Sequence, residues 1–162
     1  YNRGEIHNLS IARGTLTPEE AKKINSHIDM TIEMLKAIPF PAHIKNVVEY
    51  AGGHHEHMDG TGFPNHLKRS QMSIPARILG LADVFEALSS SDRPYKKIKT
   101  LSEIVAIMSG MAKGGHIDPD LFNLFLTSGV YQEYAEQYMK ESQIDQVDIR
   151  QYLVKAETLK GE

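Results

Sequence analysis

The sequence predicts an all-α fold, on three observations. Two capping boxes, Thr17-Pro18-Glu19-Glu20 and Thr100-Leu101-Ser102-Glu103, mark the starts of helices. No segment alternates apolar and polar residues over the length of a strand. After the first capping box, apolar residues recur at helical spacing, at Ala21, Ile24, Ile28, Ile32 and Leu35.

Composition restricts the function classes. Of the 162 residues, 41% are hydrophobic and 24% are charged, as in folded globular domains. The net charge of −3 gives no basic field for nucleic acid or a membrane. Without cysteine, a metal would need histidine, carboxylate or water ligands. No apolar run or signal-peptide pattern indicates membrane insertion or secretion, so we expect a cytoplasmic location. The start at Tyr1, where a complete chain would have Met, leads us to expect a piece of a longer protein.

The first half of the chain predicts three helices. The first begins at Pro18 and ends before Pro39, and the second runs from about Ala42 into the pair His54-His55. The third spans about residues 74–90, starts at Ser73 and is apolar on most sides, which predicts a central position.

The second half continues this pattern. The second capping box opens a helix that stops at Gly114-Gly115, and Asp118-Pro119 caps a short helix over 121–127. Residues 130–162 predict one or two amphipathic helices. We expect three divisions: a lead-in over 1–14, a domain over 15–128 and a helical extension over 129–162. One face of the extension carries tyrosines that are expected to pack rather than bind a partner: Tyr131, Tyr134 and Tyr138.

The most informative segment is His54-His55-Glu56-His57-Met58-Asp59-Gly60-Thr61-Gly62-Phe63-Pro64. It places imidazoles and carboxylates, the usual ligands of divalent transition metals, next to a glycine-rich loop that a ligand can approach closely. On a helix, the side chains of His54 and His55 would point about 100° apart, which suits two metals. The alternative is a polar surface turn.

Two further residues extend this set. Asp83 lies in a strongly apolar helix, where a carboxylate must pair, protonate or bind a metal, unless it occupies a narrow polar edge. His27 borders the apolar stripe of the first helix and is either a ligand or a hydrogen-bonded core histidine.

The chain resembles the HD-GYP family, the subclass of HD-superfamily phosphohydrolases that degrades cyclic di-GMP. The residues HHEHMDGTGFP match its His-His-Glu-x-x-Asp-Gly-x-Gly-Tyr-Pro signature, with Phe63 for tyrosine and His57 for the usual arginine. Further similar segments are LTPEEAKKINSH, IPARILGLADVFEALSSSDRPYK and GGHIDPDLFNLFL. The resemblance implies the C-terminal part of an HD-domain-like helical bundle, followed by extra C-terminal helices.

The resemblance also implies residue roles in a metal-dependent cyclic dinucleotide phosphodiesterase. It makes His54, His55 and Asp83 catalytic through two or three divalent ions, with iron or manganese expected. The implied metal ligands are His27, His54, His55 and Asp83. The implied contacts to cyclic di-GMP are Arg93, Lys96, Gly62 and Phe63, although Arg93 and Lys96 could instead belong to a solvated basic patch with Lys97 and Lys99.

One family feature is missing. The His-Asp doublet that HD proteins take from an earlier helix does not occur in these 162 residues. The upstream half is either left out or separated by a long insertion. We therefore expect weak metal binding and no turnover by this fragment, unless a homodimer supplies the missing ligands.

Two other functions remain open. The chain could be a non-catalytic signalling module that binds a partner protein, such as a cyclase domain. It could also belong to an HD hydrolase that acts on another nucleotide. Binding of cyclic di-GMP that survives loss of His54 and Arg93 would exclude the assigned site.

Overall fold

A computed structural model describes residues 18–90 and 98–155, with only the backbone for 18–22 and 24–25. The chain forms two compact units, residues 1–48 and 49–162. The predicted lead-in over 1–14 and the predicted phosphate contacts Arg93 and Lys96 lie outside the described residues. The three predicted divisions therefore stay predictions.

The described residues form six α-helices and no strand, which confirms the predicted all-α class. None of these helices is both long and apolar enough to cross a membrane. The helices are α1 (Pro18–Lys36), α2 (Val47–Gly52), α3 (Ile74–Ser89), α4 (Leu101–Lys113), α5 (Pro119–Thr127) and α6 (Val130–Tyr138). Short 3₁₀ turns occur at Ala42–Ile44, Arg69–Gln71, Glu141–Gln143 and Ile149–Gln151.

In the first unit, α1 has a buried side and an exposed side, judged from the side chains that are described. Ile28 is 1% exposed, whereas Met30 and Met34 are exposed. His27 also lies on the exposed side of the helix, and its backbone carbonyl accepts a hydrogen bond from the Thr31 hydroxyl.

The helix starts in the second unit agree with the sequence. Ser73 caps α3 by accepting a hydrogen bond from the backbone N–H of Ala76. Thr100 and Glu103 form the predicted capping box of α4, and Asp118 caps α5. Each cap satisfies N–H groups that a helix leaves unpaired at its first turn.

The core of the second unit lies between α3, α4, α5 and α6. Its most buried side chains include Ile104, Met108 and Phe122, each 0% exposed. Tyr131 is buried and Tyr134 packs against this core, as expected for a packing face. Tyr138, at the end of the same helix, is exposed.

The second predicted helix is wrong in its bounds. Instead of running from Ala42 into His54-His55, the chain forms a 3₁₀ turn and then α2, which ends at Gly52. Gly53 is buried, and a Cβ there would lie 3.1 Å from the Cβ of Ala76. Two consecutive glycines disfavour a continued helix and let the chain turn closely against α3. The histidine pair therefore lies in a turn.

The predicted central position of the third helix holds for only part of its surface among the described residues, since Leu81 and Phe85 belong to the main core. Leu81, Phe85 and Ser89, spaced four residues apart, are buried on one side of the C-terminal half of α3, and Ala76 is buried near its start. Ile74 and Ile78 lie on the same side as Leu81, two turns and one turn earlier, and are exposed. Leu79 and Asp83, four residues apart on a different side, are exposed as well. A uniformly apolar sequence does not show which of its faces finds a partner.

The described part of the C-terminal extension, residues 129–155, contains less helix than expected. After α6, two 3₁₀ turns carry the chain back to the core, where Val154 is 4% exposed. Asn123 of α5 holds this segment with two hydrogen bonds: its Oδ1 accepts from the Val154 N–H, and its Nδ2 donates to the Val154 carbonyl oxygen.

Candidate functional site

The glycine-rich loop after α2 folds tightly on itself. Gly62 is buried, and a Cβ there would lie 2.3 Å from the backbone nitrogen of His57 and 2.5 Å from the Cα of Glu56. Glycine is therefore required at this position. The close approach that Gly62 permits is to the chain's own backbone. The predicted approach of a ligand to this loop stays a prediction.

Glu56 holds the two ends of this loop together. Its side chain is buried and accepts hydrogen bonds from the backbone N–H groups of Asn65, at 2.6 Å, and Leu67, at 2.9 Å. A buried carboxylate that accepts two N–H groups is satisfied without a metal. Glu56 is thus a structural residue of the loop.

Asp59 forms the turn within the loop. Its Oδ1 accepts hydrogen bonds from the Thr61 backbone N–H, at 2.9 Å, and the Thr61 hydroxyl, at 2.7 Å. Gly60 between them has a φ of 82°, in the left-handed region that glycine tolerates. Burial opposes ionisation of Asp59, but the hydrogen bonds from Thr61 outweigh it and lower the pKa of the carboxyl group.

The histidine pair and the loop aromatic form a continuous stack. The ring centroids of His54 and His55 lie 4.3 Å apart with a tilt of 38°. The Phe63 ring lies 4.9 Å from the His55 ring and is nearly parallel to it, at 15°. The two imidazoles are therefore close neighbours, in place of the divergent arrangement expected on a helix.

A backbone hydrogen bond selects the tautomer of the neutral His54 ring. Its Nδ1 lies within hydrogen-bond distance of the Ala51 carbonyl oxygen. A carbonyl only accepts, so Nδ1 carries the proton, and Nε2 of the neutral ring keeps a lone pair. Metal-binding histidines in proteins usually have this arrangement, with one ring nitrogen donating to a carbonyl and the other free to coordinate.

His54 also borders a small pocket against α3. The empty space in the pocket, including the part open to solvent, is about 240 Å³. Its polar lining consists of His54, Glu56, Arg77 and His116. Gly80 of α3 contributes to the wall, and a Cβ there would lie 2.9 Å from the His54 carbonyl oxygen. α3 thus packs directly on the backbone of the histidine pair.

A second imidazole pair lies beside the loop. The rings of His57 and His116 have centroids 3.7 Å apart. The Thr61 hydroxyl gives its proton to Asp59, so it accepts from Nδ1 of His57, at 2.9 Å. Burial lowers the pKa of His116, and the charges of His57 and His55 lower it further against the opposing effect of Asp59.

A buried charge network lies next to the pocket. The Asp118 carboxylate is fully buried and receives the guanidinium groups of Arg69, with Nε at 3.0 Å from Oδ2, and of Arg77. Arg69 also contacts Asp120. Burial opposes ionisation of Asp118, but the hydrogen bonds from the two arginines prevail and lower its pKa. The Nε atom of Arg77 is buried and has no hydrogen-bond partner among the described residues.

The structure brings only some predicted site residues together. His54, His55, Gly62 and Phe63 lie in one loop. Asp83 is exposed on α3, one turn after Gly80, where an added Cβ would lie 2.9 Å from the His54 carbonyl oxygen. His27 belongs to the other unit. Among residues 18–90 and 98–155, no group of three or more histidine or carboxylate side chains is arranged to hold a metal ion. The four-ligand site therefore stays a prediction.

Sequence reasoning missed the residues around the loop. It treated Asp118 only as a helix cap, and it assigned no role to Arg69, Arg77 or His116 in the site. Arg69 and Arg77 pair with Asp118, which lies 49 and 41 residues further along the chain. A local sequence pattern cannot reveal pairs that are so far apart in sequence. The one sequence signal for these contacts was the dipeptide Asp118-Pro119. It marks a helix cap, and an aspartate at a cap can also accept hydrogen bonds from side chains.

Known proteins resemble the chain over much of its length. A 3'3'-cGAMP-specific phosphodiesterase of Vibrio cholerae is 36% identical over 96 residues, which are 59% of this chain and 22% of that protein. A cyclic di-GMP phosphodiesterase of Pseudomonas aeruginosa is 41% identical over 86 residues, 52% of this chain and 20% of that protein. A cyclic di-GMP phosphodiesterase of Thermotoga maritima is 32% identical over 132 residues, which are 82% of this chain and 34% of that protein.

These matches cover between a fifth and a third of each relative, so the chain corresponds to one part of those proteins. The HD domain family model matches residues 1–121, which is most of the chain. Together with the phosphodiesterase relatives, this match identifies the family: the chain belongs to the HD domain family and is of its HD-GYP type.

Proposed function

We propose that the full-length protein is a metal-dependent phosphodiesterase that hydrolyses cyclic di-GMP. The observation that carries the proposal is His54, whose Nδ1–H is engaged by the Ala51 carbonyl and whose Nε2 is therefore available to a metal. The relatives named as cyclic di-GMP and cGAMP phosphodiesterases support the reaction class. A cytoplasmic location belongs to the same proposal.

The residues that would hold the metal are His54, His55, His27 and Asp83, and imidazole with carboxylate fits iron or manganese. A metal bound there would polarise the phosphoryl oxygen and lower the pKa of water. Because the His-Asp doublet of HD proteins does not occur in residues 1–162, we expect these residues alone to bind metal weakly and to lack turnover. A homodimer or further chain would have to complete the site.

The protein's own groups would bind and orient the substrate. Phe63, stacked on His55, presents an aromatic ring beside the proposed ligands, where a base or ribose could pack. Arg93 is the proposed phosphate contact, because a guanidinium binds two oxygens at once, and Lys96 would add a second charge.

The test is hydrolysis of cyclic di-GMP by the full-length protein with Mn²⁺ or Fe²⁺, measured by chromatography of the products. We expect His54→Ala to lower kcat/KM by about 100-fold or more, because it removes a metal ligand. His66→Ala, at an exposed residue of the same loop region, is the matched control and should retain activity.

Three outcomes separate the candidate functions. Faster hydrolysis of 3'3'-cGAMP than of cyclic di-GMP would shift the substrate to the one named for the first Vibrio cholerae relative. Hydrolysis of other nucleotides alone would favour a different HD hydrolase. Cyclic di-GMP binding without hydrolysis, unchanged in His54→Ala and Arg93→Ala, would favour a signalling module that binds a partner such as a cyclase domain.

A further inference from the structure

Asp118 is the most heavily hydrogen-bonded carboxylate near the site. It is 0% exposed, and five N–H groups converge on its two oxygens. Two come from Arg69, one from Arg77, and two from the backbone of Asp120 and Leu121. Capping α5 needs only the last two of these donors. The arginine contacts therefore serve something beyond the helix cap.

Arg69 connects Asp118 to the far end of the glycine-rich loop. Its backbone N–H donates to the Met58 carbonyl at 3.1 Å, and the preceding residue, Lys68, bridges to Asp59. The Asp59 N–H in turn donates to the Gly115 carbonyl at 3.1 Å, three residues before Asp118. The loop that follows the histidine pair is thus fixed at its end through Arg69.

Arg77 connects Asp118 to the other wall of the same pocket. It lies on α3 one turn before Gly80, the residue whose Cβ position is 2.9 Å from the His54 carbonyl oxygen. Arg77 and His54 both line the pocket. Because even one added methyl group at Gly80 would overlap the His54 carbonyl oxygen, α3 lies close against this backbone, and a shift of α3 toward it would displace His54.

We propose that Asp118 is a positioning residue for the His54–His55 pair. By holding Arg69 and Arg77 with one carboxylate, it fixes the glycine-rich loop and α3 on opposite sides of the pair. The orientation of the imidazoles then depends on a charge that touches neither of them. The effect on metal and turnover rests on the proposed function, whereas the effect on the imidazoles does not.

Asp118→Asn separates positioning from capping. Asparagine is as good a cap as aspartate, and its Oδ1 can still accept from Asp120 and Leu121. Its NH₂ group, however, would face the donors of Arg69 and Arg77 where a negative oxygen had accepted them. Asp145→Asn is the matched control, because Asp145 also accepts a backbone and a hydroxyl donor, from Ser102, but not at the pocket.

The first readout needs no metal. Long-range ¹H–¹⁵N spectra of the metal-free, full-length protein, labelled at histidine, report the tautomer and surroundings of each imidazole. We expect His54 to show the Nδ1–H tautomer in the wild type. Asp118→Asn should shift the ring signals of His54 and His55, and Asp145→Asn should leave them in place. Coincident signals for wild type and Asp118→Asn would overturn the proposal.

The second readout uses Mn²⁺, measured by electron paramagnetic resonance, and cyclic di-GMP turnover. We expect Asp118→Asn to weaken Mn²⁺ binding by about tenfold or more, as for other residues that orient ligands. kcat should fall while KM stays within about twofold. Measurements well below both melting temperatures exclude a change in folded fraction. Unchanged Mn²⁺ affinity in a folded variant would also contradict positioning.

Failure of the two proposals can be told apart. A wild type that neither binds Mn²⁺ nor hydrolyses the dinucleotide refutes the proposed function, and the imidazole spectra still decide the role of Asp118. If Asp118→Asn does not fold, Arg69→Lys replaces it. This variant keeps the positive charge but removes the planar guanidinium group that donates two hydrogen bonds to Asp118. A smaller shift of the same His54 and His55 signals is then expected, and no shift contradicts the proposal.

Discussion

The histidines of the loop differ in chemistry because their neighbours differ. A carbonyl fixes the proton of His54 on Nδ1, and the Thr61 hydroxyl does the same for His57. His116 makes a ring contact with His57 and is half-buried, so its charged form is disfavoured. Residue type alone therefore does not assign a role within a group of imidazoles; the hydrogen-bond partner of each ring does.

His116 should make folding stability depend on pH. Its folded pKa lies below the ordinary 6.5, so as pH falls through 6.5 the unfolded chain takes up a proton before the folded chain does. The free energy of unfolding therefore decreases from about pH 6.5 down to the folded pKa. His116→Gln cannot titrate and should show a shallower decrease, measured by urea unfolding of the metal-free protein at several pH values. A variant slope equal to or steeper than the wild-type slope would contradict this account.

At the scale of elements, the loop depends on glycine at defined positions and on one internal carboxylate. Gly62 lies against the backbone of Glu56 and His57, and Glu56 ties the loop ends at Asn65 and Leu67. Gly110, in α4, has open space where a Cβ would be added. The same substitution should therefore have opposite effects at the two glycines.

Gly62→Ala should lower the free energy of unfolding by about 2 kcal/mol or more, because the new Cβ overlaps the loop backbone. Gly110→Ala should raise it by about 0.5–1 kcal/mol, because alanine favours a helix over glycine. Chemical denaturation of both variants measures the two effects. Equal effects at both positions would show that the loop relaxes around the added methyl group.

Sequence patterns between neighbouring residues predicted the helices better than they predicted the contacts around the candidate site. Ser73, Thr100 with Glu103, and Asp118 were identified as caps from sequence, because a cap bonds within three residues of itself. The end of α2 at Gly52 was missed, since the histidine pair continued an apparently helical pattern. The contacts of Asp118 with Arg69 and Arg77 form only in the folded chain, between residues that are far apart in sequence, so no regular spacing in the sequence predicts them.

At the scale of the molecule, the described residues of the second unit form two separate apolar clusters. The large one lies among α3 to α6, and the small one, beneath the loop, consists of Met58, Met72 and Ala76 with Leu67 against it. The large cluster holds the most deeply buried side chains, including Phe122. Stability of the unit should therefore depend mainly on the large cluster.

Phe122→Ala should lower the free energy of unfolding by about 3–5 kcal/mol, because it leaves a cavity in the large cluster. Leu124→Ala, two residues along α5 and 60% exposed, is the control and should change it by less than about 0.5 kcal/mol. Thermal and urea unfolding measure both. A loss from Leu124→Ala as large as that from Phe122→Ala would mean that the exposed face of α5 is covered in solution.

The charge network at Asp118 has a consequence for how the protein responds to ionic strength. Two arginines face two aspartates, Asp118 and Asp120, so the formal charges of the quartet cancel. Mobile ions screen exposed charges well but reach buried ones poorly. Concentrated electrolyte should therefore weaken the exposed pair Glu33–Lys36, and in part the pair of Arg69 with the exposed Asp120. The contacts of buried Asp118 with Arg69 and Arg77, and the loop and helix that they join, should be almost unaffected.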